Sequence, residues 1–287
     1  MTDTTRAMLW MIGSIFSFIA MAVAGRQVSA TLDTFEIMTY RSFIGVAIVL
    51  SVARLQGRLH EVKRDRLGLH ALRNVAHFTG QNLWFYAIAT IPFAQVFALE
   101  FTTPIWAILL APLLLGERLT RSGLIAGACG LAGILIVTRP GSVPLSPGLL
   151  AAAACAVFFA LTALMTRRLT RDQSIVCILF YLTTMQAVFG LLCAGWDGDM
   201  VAPTLATGPW LMLIGCAGLM AHFCLTTALS LAPASVVMPI DFARLPLAAL
   251  VGTLFFSETL DPALFAGAVL IFGGNYYNIL KSRRIPA

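Results

Sequence analysis

The sequence predicts an all-α integral membrane protein of ten transmembrane helices, arranged as two inverted five-helix repeats. Three observations predict it: long apolar stretches, a self-match at a fixed offset, and basic residues confined to alternate loops. Of 287 residues, 59% are hydrophobic and 11% charged, whereas a soluble domain carries roughly a quarter charged residues. The chain matches itself when slid by 141 residues. Arg26 falls on Arg167, Tyr40 on Tyr181, Pro92 on Pro233, Glu100-Phe101 on Asp241-Phe242, Glu117 on Glu258 and Leu119 on Leu260. Each copy carries five apolar segments, and an odd number of crossings turns the second copy upside down in the bilayer. Inverted repeats about a midplane site are the mark of secondary transporters.

Crossing ~30 Å of hydrocarbon takes about 20 apolar residues at 1.5 Å per residue. The first repeat, residues 7–138, supplies the spans Ala7–Gly25, Phe35–Ala53, Leu67–Ala89, Pro92–Leu115 and Ser122–Thr138. The second, residues 147–280, supplies Pro147–Thr166, Ser174–Ala194, Pro209–Leu231, Pro233–Phe256 and Pro262–Leu280. The first span has only Arg6 ahead of it, no small-residue cleavage site behind it, and a repeat partner in the sixth. It therefore reads as structure and not as a removed signal peptide. The joint between repeats, Thr138–Pro147, carries Arg139-Pro140-Gly141. All six cysteines fall inside apolar spans without C-x-x-C spacing, so they read as small packing residues rather than as metal ligands or a disulfide framework.

The net charge of +6 is distributed by side. With the N-terminus in the cytoplasm, the inner loops and tails hold fourteen Lys and Arg, and the outer ones only Arg26 and Arg139. That asymmetry places both termini in the cytoplasm of a bacterial-type inner membrane. The basic excess then sets orientation and meets anionic headgroups, and no nucleic-acid partner is expected. The same topology puts Gly116-Glu117-Arg118 inside and its repeat equivalent Ser257-Glu258-Thr259 outside.

Ionisable groups at membrane depth are costly, so they face a cavity or a partner. Glu100 lies eight residues beyond Pro92, and Asp241 eight beyond Pro233. Reached from opposite faces, both end near the middle. Arg244 follows Asp241 by three residues on one helix face, where it neutralises Asp241, offers donors to an anionic substrate, or both. Glu100 has no cation on its own helix, so its partner is Arg73 or His77 from another span, or it is protonated. The third span is the most polar: Arg73, His77 and Gln81 form an i, i+4 row with Trp84 three residues further on, and Asn74 and Asn82 lie beside it. Such a row cannot face lipid and is expected to line the pathway. His222 is the repeat equivalent of Gln81. The equivalents Tyr40 and Tyr181 line the cavity or belt the interface. Arg41 and Glu36, early in the second span, are expected to snorkel to the outer surface. Pro104, Pro112, Pro239 and Pro246 bend the fourth and ninth spans. Glycines in the fifth and tenth, among them Gly133 and Gly267, permit close helix packing, with a homodimer contact as the alternative.

The chain contains no G-x-x-x-x-G-K-[ST] phosphate loop and no H-E-x-x-H or G-x-S-x-G motif, so no cofactor, metal or ATP hydrolysis is expected. The runs Pro92-Phe93-Ala94, Thr103-Pro104 and Leu115-Gly116-Glu117-Arg118-Leu119 recur as Pro233-Ala234-Ser235 and Ser257-Glu258-Thr259-Leu260. With these runs the chain resembles the EamA-type transporters of the drug/metabolite transporter superfamily. The resemblance implies alternating access and a central cavity lined mainly by helices 1–4 and 6–9. It also implies that Glu117 and Glu258 close turns structurally, with Ser257 in place of Gly116 altering the second. The implied function is gradient-driven transport of a small metabolite, with export of amino acids or related metabolites expected and a coupled proton possible. A riboflavin-like vitamin or a drug is the alternative cargo, and an intramembrane lipid-modifying enzyme the competing class.

Overall fold

The computed structural model describes residues 3–116, 119–139, 145–196, 198–231, 240–241, 243–259 and 261–282. Glu117, Arg118, Pro233, Pro239, Phe242 and Leu260 lie outside the described residues. The helices are α1 (Asp3–Val28), α2 (Thr34–Leu55), α3 (Leu67–Thr90), α4 (Phe93–Glu100), α5 (Thr103–Leu115), α6 (Arg121–Thr138), α7 (Pro147–Leu169), α8 (Ile175–Ala194), α9 (Gly208–Leu231), α10 (Arg244–Phe256) and α11 (Pro262–Ser282). A single 3-10 turn, Leu59–Glu61, interrupts the loop before α3.

Among the described residues, eight spans are long and apolar enough to cross a membrane, with α4 and α5 together forming one of them. α3 is 24 residues long, and its polar row keeps it off that count. α10, with 13 residues, is too short. The protein is a multi-pass, all-helical membrane protein.

Local signals start the helices where the sequence places them. Asp33 caps α2 and exchanges hydrogen bonds with Glu36 in a capping box. Thr120, Ser146 and Ser174 each accept the backbone N–H three residues on, at 3.1–3.2 Å. Each such cap satisfies a donor that the helix itself leaves unpaired.

The fourth span is not the continuous helix expected over Pro92–Leu115. It breaks at Phe101-Thr102. Pro104 has no N–H and crowds the carbonyl four residues back, which is that of Glu100. Side chains cap the carbonyls at the break. The hydroxyl of Thr103 donates to Glu100 O at 2.6 Å, that of Thr102 to Leu99 O at 2.6 Å, and Asn275 Nδ2 to Phe101 O at 3.2 Å. In the ninth span residues 240–241 are helical, Ala243 is a turn, and α10 begins at Arg244 with Pro246 in its first turn. In both spans a helix begins three residues after the acid.

α1 packs on α9, α3 on α7, α2 on α8, α4 on α10 and α6 on α11. The last pair meets through bare backbone: a Cβ on Gly133 would sit 2.8 Å from Gly267 O, and one on Gly267 2.8 Å from Gly133 O.

Two expectations for α2 are overturned. Arg41 turns into the bundle, where its guanidinium donates to Gln81 Oε1 on α3. It lies seven residues from the start of α2, about 10 Å along the axis, so the inward partner is nearer than the helix end. Glu36 is 4% exposed. Besides its part in the capping box it accepts the Val201 N–H at 2.5 Å, which ties the α8–α9 loop to the start of α2.

Candidate substrate site

Inside the bundle, ionisable groups gather in two adjoining clusters, with His70 and Glu36 buried apart from them. In the first, Arg244 forks between two carboxylates, with Nη2 at 2.7 Å from Asp241 Oδ2 and Nη1 at 3.2 Å from Glu100 Oε1. The rings of Phe18, Phe97 and Phe101 stand 4.5, 5.4 and 5.0 Å from the guanidinium carbon, positions that favour a cation over an aromatic face. Trp84 donates its indole N–H to Glu100 Oε2 at 2.8 Å. The Asp241–Arg244 pairing expected from their spacing is present. The partner expected for Glu100 is corrected: it is Arg244, together with Trp84, and neither Arg73 nor His77. A planar guanidinium offers five donors and can hold two carboxylates at once.

The second cluster follows the α3 row. His77 and His222 face each other with ring centroids 6.1 Å apart, and Phe18 lies edge-on to His222 at 5.6 Å. Phe18 thereby touches both clusters. Gln81 receives Arg41 one turn above His77, and Arg73 lies one turn below it. Arg73 donates to Thr166 Oγ1 at 3.1 Å and to Asn74 Oδ1 at 2.8 Å. Among the described residues neither Arg41 nor Arg73 has a carboxylate partner. Both ring nitrogens of His77, Nε of Arg244 and Oδ1 of Asp241 are buried without a hydrogen-bond partner. Buried polar groups are ordinarily paired; unpartnered polar atoms also occur away from the clusters, at both ring nitrogens of His70 and at Gln186 Nε2.

The other candidate residues lie apart from both clusters. Asn82 donates to Phe78 O of its own helix at 2.8 Å. The Tyr40 hydroxyl donates to Val201 O at 2.7 Å in the α8–α9 loop. Tyr181 packs its ring on His70 at 4.5 Å, toward the start of α3. No His/Cys/Asp/Glu group able to hold a metal occurs among the described residues. A cavity of about 430 Å³ between α6 and α11 is lined by apolar residues such as Ile125, Val269 and Tyr277 and shares none with the clusters.

Two features went unread in the sequence. Phe18 carries no signal beyond its apolar type. Arg26, counted there as a loop charge, clasps one end of the bundle. It pairs with Glu258 and donates to the carbonyls of Ile88 and Ile91, while its guanidinium lies 4.0 Å from the Phe93 ring. Glu258 also accepts the Phe93 N–H at 2.9 Å. Glu258 thus reaches across to the α3–α4 junction as well as ending α10. Ser257 keeps the left-handed turn at φ 52°, as Gly116 does at φ 69°, so the substitution does not alter that turn.

The model of the EamA-like transporter family matches residues 5–139 and again 146–280. The chain belongs to the EamA-like transporter family. An S-adenosylmethionine uptake transporter of Rickettsia bellii is 24% identical over 96% of this chain and 94% of its own length. A riboflavin transporter of Brucella anthropi is 30% identical, with coverage of 81% and 84%. A pseudopaline exporter of Pseudomonas aeruginosa is 30% identical, with 89% of each chain covered. A crystal structure sharing 22% identity covers 99% of both chains at a TM-score of 0.67, which shows the fold alone. This EamA-family chain is a membrane transporter of a small metabolite and not an enzyme.

Proposed function

We propose that this chain is a secondary carrier working by alternating access, built from inverted repeats at residues 7–138 and 147–280. It resides in a bacterial inner membrane with both termini cytoplasmic, and it moves amino acids or related metabolites outward. The observation that carries this reading is the Glu100–Arg244–Asp241 cluster, which stands where two repeat-equivalent spans break. Broken helices meeting at a polar centre near the midplane are how such carriers bind cargo between moving halves. The packing supports it too. Exchange of repeats turns the α1–α9 pair into the α3–α7 pair, and returns α2–α8 and α6–α11 to themselves. Protons are a fitting coupling ion, given carboxylates and histidines at membrane depth.

The test is flux in proteoliposomes. Saturable uptake accelerated by substrate on the far side supports a carrier, and flux that never saturates refutes it. Insensitivity to a pH gradient, unchanged in Glu100→Gln and Asp241→Asn, removes proton coupling alone. A planar vitamin is the second reading, favoured by Phe18, Phe97 and Trp84 around the charges. Competition by riboflavin in the same assay would support it.

A further inference from the structure

The two clusters are unequal in charge, and this inequality specifies the cargo. Resting on the carrier reading above, we propose that the chamber is built for an amino acid with a second carboxylate: one ammonium, two carboxylates and a net charge of −1. Around the helix breaks, two carboxylates face one cation, and Asp241 Oδ1 has no donor. An ammonium group supplies that donor and cancels the local excess of negative charge. Along α3 the balance is opposite: among the described residues Arg41 and Arg73 are held by neutral partners, Gln81, Met38, Thr166 and Asn74.

Two guanidiniums without counter-ions in an apolar bundle are costly unless anions reach them. Gln81 and Met38 take the Nη1 of Arg41, and Thr166 and Asn74 take the Nε and Nη1 of Arg73, which leaves further donors of both for an incoming oxyanion. The unpartnered nitrogens of His77, between the two arginines, add further polar capacity at the same place. Guanidinium forks match carboxylates in two-point geometry, which an ammonium cannot do. Counted together, the three arginines of the two clusters face two carboxylates. A ligand of charge −1 makes the loaded chamber neutral, whereas a cationic ligand would raise its charge to +2. Phe18, in contact with His222 on one side and Arg244 on the other, marks where the carbon chain of the ligand lies.

The experiment uses the whole purified protein and probes that differ in their charge pattern. Glutamate and α-aminoadipate carry the charge pattern, and glutamine lacks the second carboxylate. Glutarate lacks the ammonium, lysine is cationic, and riboflavin is neutral and planar. Thermal stabilisation and competition in counterflow are both measured. The aminodicarboxylates should bind at least tenfold more tightly than glutamine, glutarate or lysine. Arg73→Gln should cut that preference over glutamine by about tenfold, with its unliganded melting point checked to confirm folding.

Lysine, glutamine or riboflavin binding as well as the aminodicarboxylates, or no aminodicarboxylate binding at all, overturns the charge assignment; saturable counterflow with another probe would then leave the carrier reading standing. Aminodicarboxylates that bind without any saturable counterflow support the site and remove the carrier reading instead. The wild-type comparison needs no variant to fold.

Discussion

Replacing Arg244 with leucine leaves Asp241 and Glu100 buried with no cation between them. Arg244 is 4% exposed and bonds both carboxylates, at 2.7 and 3.2 Å. Removing one partner of a buried ion pair costs about 3–5 kcal/mol, because the remaining charge stays in a low-dielectric interior. Glu100→Gln is a milder change. It leaves one cation facing one anion, and the glutamine oxygen still accepts from Trp84. Its cost should be about 1 kcal/mol, the scale of one ordinary hydrogen bond. The triple variant Arg244→Leu, Glu100→Gln, Asp241→Asn buries no charge, so it should recover most of the loss of the single arginine change, and the three effects should be strongly non-additive. Denaturant unfolding in detergent micelles measures all three. A Glu100→Gln variant as unstable as Arg244→Leu, or a triple variant no better than Arg244→Leu, would refute the idea that one arginine holds both acids.

Three further outcomes are expected. Glu258→Gln should loosen the clasp at the Arg26 end: losing a charge-assisted hydrogen bond worth about 1.5–3 kcal/mol should speed maleimide labelling of Ile88→Cys, made in a background without the native cysteines, by about tenfold, and unchanged labelling would show that the clasp does not seal that end. Ser257→Gly should raise stability by about 0.5–1 kcal/mol, since left-handed backbone costs an L-residue roughly 1–2 kcal/mol and the extra unfolded freedom of glycine takes part of that back; a lower melting temperature contradicts it. Gly267→Val should destabilise by about 1–3 kcal/mol through overpacking, while Gly273→Ala, whose Cβ would meet nothing within 4 Å, should cost nothing; equal effects would mean that the α6–α11 contact is not tight.

Much of the architecture was legible because membrane insertion and internal duplication both write long-range patterns into a chain. The α3 row was legible for the same reason: polar groups spaced by four residues cannot all face lipid, and Trp84, His77 and Gln81 do point inward. The break after Glu100 was not. Pro104 signals a bend, but a bend and a break differ in whether Thr102, Thr103 and the distant Asn275 can take up the freed carbonyls. The partner of Glu100 was hidden by a local solution: Arg244 already had Asp241 three residues away, and a second carboxylate 144 residues distant left no trace. Arg41 was misread because snorkelling and burial give the same residue type at the same depth, and only the facing Gln81 decides between them.

The seam between Gly133 and Gly267 has a consequence for how this molecule can move. Where two backbones touch without side chains between them, axial sliding would drive carbonyl oxygens into neighbouring methyl groups such as those of Ile271 and Val137. On the alternating-access reading proposed above, α6 and α11 would serve as a keel, and the rocking would be left to the spans that flank them.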